Sequence, residues 1–147
     1  MSSSWPAARR FLVDSNVLLD VALQDADWSS WSEDAMAEPL RTGTVAINPL
    51  IYAEVSVGYK RIESLDAALP EELFARLPIP YQAGFLAGKA FAQYRSRGGL
   101  KRAPLPDFYI GAHAAVSGLT LITRDSRRYR AYFPTVELIC PPTENHT

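Results

Sequence analysis

Four of the sixteen acidic residues in this 147-residue chain adjoin apolar runs instead of lying on an obviously solvated face. Asp14 ends Phe11-Leu12-Val13, and Glu54 lies within Ile51-Tyr52-Ala53-Glu54-Val55. Asp107 follows Leu105-Pro106 and opens Phe108-Tyr109-Ile110, while Asp125 comes just after Leu119-Thr120-Leu121-Ile122-Thr123. Taking an unpartnered carboxylate out of water costs on the order of several kcal/mol. Four such positions therefore predict a shared cationic partner, and a divalent metal ion is the economical candidate. Cys140 is the only cysteine and His113 and His146 are the only histidines, so a soft-ligand zinc cluster is excluded. A site built from oxygen favours Mg²⁺ or Mn²⁺ by ligand hardness.

Each acid taken singly also has an ordinary reading. Pro106-Asp107 is a good helix start, where the carboxylate meets the positive end of the macrodipole. Glu54 reads as a solvent-facing glutamate, and Asp125 in Thr123-Arg124-Asp125-Ser126 as an Asx turn. Asp14 is harder to explain away, because it follows a strand and precedes the polar pair Ser15-Asn16. The argument rests on the four together.

The elements that must position them alternate. Strands are predicted at about 10–14, 44–48, 119–123 and 136–139, with a short fifth at Leu77-Pro78-Ile79. Helices are predicted from Ser15 or Asn16 to about Ala22, and from a Ser30-to-Glu33 capping box to about Arg41, with Pro39 expected to kink or shorten the second. Asn48-Pro49 signals the start of the helix that carries Glu54. Further helices are expected over 64–69, 70–76, 82–97 and from Pro106 or Asp107 to about Gly118. The alternation predicts one α/β domain over residues 1–147 with a mainly parallel sheet of four or five strands, and flexible tails at 1–8 and 141–147. Ligands of such sheets bind beyond the carboxyl ends of the strands, where Asp14 and Asp125 fall.

The net charge of −1 conceals a segregation along the chain. Asp20 to Glu38 holds six acids and no base, whereas Arg76 to Arg130 holds ten bases against Asp107 and Asp125 alone. A nucleic-acid surface can hide in a near-neutral protein in this way, although arginines also decorate solvated helix faces. No signal-peptide pattern and no membrane-length apolar run is present, so a cytoplasmic protein is expected.

Asp14-Ser15-Asn16, Pro49-Leu50-Ile51-Tyr52-Ala53-Glu54, Leu105-Pro106-Asp107-Phe108-Tyr109-Ile110-Gly111-Ala112-His113-Ala114 and Leu121-Ile122-Thr123-Arg124-Asp125 resemble the four acidic motifs of PIN-domain ribonucleases. More narrowly they resemble VapC-type toxins of prokaryotic toxin–antitoxin pairs, over about Phe11 to Ile139. The resemblance implies a parallel sheet sandwiched by helices and metal-assisted hydrolysis of RNA phosphodiesters. It implies Asp14, Glu54 and Asp107 as metal ligands and catalytic residues, with Asp125 completing the site through a water or a second ion. Ser15, Asn16 and Thr123 would hold the carboxylates or a coordinated water. Arg95, Arg97, Lys101 and Arg102 before Asp107, and Arg124, Arg127 and Arg128 around Asp125, would supply phosphate contacts. A VapB-like antitoxin and a homodimer are the implied partners.

Two other functions compete. A haloacid-dehalogenase-type phosphatase also places an aspartate after its first strand, but needs a second two positions on, where this chain has Asn16. A non-catalytic PIN-like module binding RNA or protein would be favoured by loss of an acidic position, and all four are present. Tyr94, Tyr109 and Tyr129 read as core more readily than as base-stacking groups, and Trp28 and Trp31 as core or as a partner patch. His113 is expected to be a helix residue with a local hydrogen bond, and Cys140 carries no activating motif.

Overall fold

Phe11-Leu12-Val13 and Val45-Ala46-Ile47 have no polar alternation, the pattern of parallel strands covered on both faces. In the computed structural model, which describes residues 8–102 and 105–142, all six of these side chains are buried. The elements run β1 (Arg10–Val13), α1 (Ser15–Ala22), α2 (Ser29–Thr42), β2 (Thr44–Ile47), α3 (Pro49–Ser56), α4 (Ile62–Ala68) and β3 (Phe74–Arg76). They continue with α5 (Tyr81–Ser96), α6 (Pro106–Ser117), β4 (Thr120–Ile122), α7 (Arg127–Tyr132) and β5 (Leu138–Ile139). The five strands form one parallel sheet in the order β3-β2-β1-β4-β5.

This order makes the site. The chain winds outward from β1 to β3, then returns to the other side of β1 for β4 and β5. With the right-handed crossovers usual for parallel strands, this order calls for α1 to α4 on one face of the sheet and α5 to α7 on the other. Between β1 and β4 the winding reverses, and the crevice beyond the carboxyl ends of those two strands is the usual ligand position of such sheets. Phe11 pairs with Thr120 and Val13 with Ile122, so Asp14 and Thr123 emerge side by side.

Several sequence expectations need correction. The fifth strand is Phe74–Arg76, not 77–79, because Leu77 makes the last rung, donating to the Ile47 carbonyl at 2.9 Å, and Pro78 and Pro80 have no N–H to extend the ladder. The helix expected over 70–76 is only a turn at Pro70 before that strand, since the edge of β2 offers Val45, Ala46 and Ile47 as partners. The capping box does not form, because α2 already begins at Ser29 and Ser30 lies inside it; the N-cap residue Trp28 makes no side-chain cap bond, and Asp25 Oδ1 accepts the amides of Asp27 and Trp28 in the turn before the helix. Pro39 forfeits one rung without shortening α2, which runs to Thr42. Helix α7 was not anticipated at all. The expected tails lie almost wholly outside the described residues.

Close packing of α6 depends on Gly111, where an added Cβ would sit 2.4 Å from the Phe133 ring. Gly88 in α5 has open space at the same position. Gly111→Ala is expected to destabilise the protein by about 1–3 kcal/mol through overpacking. Gly88→Ala should stabilise it by roughly 0.5–1 kcal/mol through helix propensity. Thermal and urea unfolding of the two variants measures the contrast, and equal effects would contradict the packing.

Candidate functional site

Asp14 ends β1 as the N-cap of α1, where its Oδ1 accepts the Ser15 amide at 2.8 Å. Its Oδ2 accepts the Thr123 hydroxyl at 2.9 Å and the Tyr129 hydroxyl at 2.8 Å. The residue is only 4% exposed, so three donors replace the water it has lost. Burial nevertheless raises its pKa, opposed by the Tyr129 hydrogen bond and reinforced by the charge of Asp107.

Asp107 stands in the first turn of α6 and accepts from Arg128 at 3.2 Å and from Tyr129 at 3.4 Å. Its pKa is raised by burial, lowered by the Arg128 charge and raised again by Asp125. Glu54 projects from α3 and accepts the Ser15 hydroxyl at 3.1 Å. Its pKa is raised by burial, lowered by the Ser15 bond and raised by Asp14 and Asp107. Asp125 is exposed and accepts the Arg127 amide at 3.4 Å. Four acids from four separate elements thus act on one another electrostatically.

Tyr129 lies between Asp14 and Asp107 with a single proton to give. The shorter contact assigns that proton to Asp14. Burial and then the charges of Asp14 and Asp107 push the phenol well above its ordinary value, so it stays a neutral donor. The burial of Tyr129 fits the core position expected from the sequence, whereas the placement of its hydroxyl between two carboxylates is not evident there. The available signal was the spacing of Tyr129, Tyr132 and Phe133, which turns one face of a short helix inward.

Thr123 and Asn16 tie the loops together: Asn16 Nδ2 donates to Thr123 Oγ1 at 3.3 Å, and Asn16 Oδ1 accepts the Arg124 amide at 3.1 Å. Arg124 turns away from the acidic rim and grips Asp20 through Nε at 2.8 Å and a terminal nitrogen at 3.0 Å, with its guanidinium 5.3 Å from a Trp28 ring. Trp28 packs edge-on against Trp31, both half-buried. Arg95 donates to the Lys101 carbonyl, while Arg97, Lys101, Arg102 and Arg127 are exposed. His113 is buried, and its partner is distant in sequence, not local. Asn48 Oδ1 is occupied by the Ile51 amide, so its Nδ2 donates to His113 Nδ1 at 3.0 Å and the ring proton sits on Nε2. Burial and the charge of Arg10 lower the His113 pKa and keep the ring neutral.

The donor set is all oxygen and suits a hard divalent cation. Among the described residues, however, no three Asp, Glu, His or Cys side chains converge closely enough to hold one ion. The Tyr129 hydroxyl and the Arg128 guanidinium occupy the Asp14–Asp107 end of the cluster.

No helix among the described residues is long and apolar enough to cross a membrane. None of the curated proteins compared with the chain matches it in sequence. The PIN domain family model matches residues 11–134. Among solved structures, the chain is similar to VapBC2 from Rickettsia felis bound to a promoter DNA fragment, with TM-score 0.68 and 16% identity over 89% of this chain and 98% of that one. It is similar to VapBC-1 from nontypeable Haemophilus influenzae, with TM-score 0.67 and 17% identity over 89% and 97% of the two chains. A toxin–antitoxin complex from Klebsiella pneumoniae aligns with TM-score 0.64 and 25% identity over 86% and 94%. With the family model covering most of its length and all five parallel strands in place, the chain belongs to the PIN-domain family.

Proposed function

We propose that this protein is a Mg²⁺- or Mn²⁺-dependent endoribonuclease acting as the toxin of a toxin–antitoxin pair in the cytoplasm. The observation that carries the reading is that Asp14, Glu54 and Asp107 stand together near the switch point of the sheet with raised pKa values, first by burial and then by a neighbouring carboxylate, Asp125 acting on Asp107. Membership of the PIN-domain family supports it, as do structural neighbours that are toxin–antitoxin complexes. Asp14, Glu54 and Asp107 would hold the ion, with Asp125 acting through water or at a second ion. When bound, a divalent cation supplies a more acidic water and charge stabilisation at the phosphoryl oxygens. Thr123, Tyr129 and Ser15 orient Asp14, and Ser15 also orients Glu54. Arg128 leaves Asp107 free for the ion only by moving. A VapB-like antitoxin and a second copy of the chain are the proposed partners.

The Arg128–Asp107 contact favours one alternative, a PIN-like module that binds RNA or protein without cutting. Cleavage of total RNA by the purified chain with Mn²⁺, with EDTA, and by Asp14→Asn and Asp107→Asn separates the two. Each substitution is expected to lower cleavage by about 100-fold or more, by removing a ligand of the charge-stabilising ion. Calorimetry should show Mn²⁺ binding lost in both folded variants. Full metal-dependent activity in both would overturn the ligand assignment, and wild-type protein free of antitoxin that cuts no RNA would overturn the nuclease.

A second expectation concerns the metal-free state. Asp14, Glu54 and Asp107 all have pKa values raised above the ordinary 3.8 of Asp and 4.5 of Glu. The folded state therefore holds protons that the unfolded chain has released, and stability falls as pH rises from those ordinary values through the raised ones. In EDTA the melting temperature of the wild type should drop across this window more than that of the Asp14→Asn Asp107→Asn double variant. Mn²⁺ should restore the wild type alone at neutral pH. Parallel pH profiles for the two proteins would contradict the electrostatic strain.

A further inference from the structure

Beside the acidic cluster lies a cleft of about 460 Å³ lined by Tyr94, Asp107, Asp125, Arg127, Arg128 and Tyr132. Its size is that of a small-molecule site. Two of its walls are the carboxylates proposed to hold the ion, so whatever occupies it adjoins the reacting phosphate. Cationic side chains stand beside these carboxylates, with Arg128 paired to Asp107 at 3.2 Å and Arg127 lining the same cleft. Among the described residues, Arg127 has no carboxylate within ion-pair distance, whereas Arg9, Arg41, Arg61, Arg76, Arg124 and Arg128 are all paired. Arg97 is likewise without one, and its guanidinium carbon lies 4.9 Å from the centre of the Tyr132 ring.

The floor is aromatic. Tyr132 meets Phe108 edge-on at 5.4 Å and Tyr94 at 6.5 Å, and the Arg128 guanidinium lies 5.7 Å from the Phe108 ring. The turn that carries Arg97 is fixed against this floor: Gly98 has φ 90, and an added Cβ at Gly99 would fall 2.2 Å from Tyr94. A cleft lined by one unpaired cation, Arg127, and by the rings of Tyr94 and Tyr132, with the Arg97 guanidinium lying on Tyr132, matches the two ends of a nucleotide. The other sizeable cavities, such as the one of about 350 Å³ between Ile47, Pro49, Tyr52 and Leu77, are predominantly apolar.

We infer that this cleft is a nucleotide subsite, taking one unpaired nucleotide of single-stranded RNA next to the scissile phosphate. Arg127 receives the phosphate, and the base packs against Tyr132 and the Arg97 guanidinium resting on it. An unpaired base is needed because a base held in a duplex cannot be splayed onto such a floor. The inference rests on the nuclease reading for the identity of the polymer, and it extends that reading by assigning where the neighbouring nucleotide sits.

Binding without cleavage tests it. Fluorescence anisotropy in EDTA and low salt, with labelled oligouridine and oligoadenosine strands, is run on the full chain. Arg127→Gln should weaken binding of at least one strand several-fold and reduce the salt slope by about one. Arg97→Gln should also weaken it several-fold, and Tyr132→Leu by about tenfold with an unchanged salt slope, while Tyr132→Phe retains it. Arg97 is exposed, so its variant remains informative if Tyr132→Leu misfolds by circular dichroism. The oligouridine–oligoadenosine duplex should bind more weakly than the better single strand. Wild-type affinity in Arg127→Gln and Arg97→Gln, duplex binding as tight as single-strand binding, or no binding of either strand by the wild type would each overturn the subsite. Wild-type cleavage with variants of unchanged affinity removes the subsite and leaves the nuclease. Binding that the variants weaken, without any metal-stimulated cleavage, removes the nuclease and leaves the subsite.

Discussion

Burial of one carboxylate organises this end of the molecule. Asp14 lies at the tip of the central strand, closed off from water, and its pKa is raised by that burial. Hydrogen bonds to a charged group contribute about 1.5–3 kcal/mol each, so the charge is tolerable only while its three donors stay in place. Those donors come from the first residue of α1, the loop after β4 and the middle of α7. The start of α1 is therefore tied to the loop after β4 and to α7, more than 100 residues on, by one side chain. The parallel pairing of β1 with β4 brings the first two together, and the Tyr129 hydroxyl ties α7 to them.

The supports around this carboxylate are polar ties that each serve a second purpose. Ser15 gives its amide to Asp14 and its hydroxyl to Glu54, so the orientation of α3 relative to α1 is set at the site itself. Asn16 links to both Thr123 and the Arg124 amide, which keeps the loop after β4 against α1. On the other side of α3, Asn48 caps the helix and holds His113 of α6. Among the described residues no buried side-chain nitrogen or oxygen lacks a partner. A network satisfied at every member holds its side chains in fixed orientations.

Much of this was legible in the sequence because the signals were local. The apolar runs of β1, β2 and β4, the Asn48-Pro49 start and the acids at strand and helix ends each follow from a few adjacent residues. What was not legible depended on partners elsewhere. Phe74-Ala75-Arg76 has no strand signature of its own and becomes a strand because β2 presents a free edge. The Ser30-to-Glu33 pattern satisfies the rule for a capping box, yet the helix starts at Ser29, after a turn closed by Asp25, so Ser30 falls inside it. The tautomer of His113 follows from Asn48, 65 positions away, which no local pattern could supply. Tyr129 was visible as an aromatic, but its role is set by two carboxylates that meet only in the fold.

The arginines around Asp125 show most directly why adjacency in sequence misleads about function. Arg124, Arg127 and Arg128 are near neighbours with the same charge, and by composition alone they belong to one basic run. Arg124 makes two contacts to Asp20, which is itself buried, and opening that pair would strand a carboxylate in the interior. Its cation is structural. Arg128 makes one ion-pair contact, at 3.2 Å, with a side chain 37% exposed, so it can exchange a carboxylate for a phosphate at smaller cost. Arg127 is exposed, with no carboxylate partner among the described residues, and has nothing to give up. Within five residues the chain holds a cation tied to the buried Asp20, one paired with Asp107 and one with no carboxylate partner among the described residues. That gradient is set by what each side chain meets across the switch point, and it places the available positive charge on the wall of the cleft next to the carboxylates.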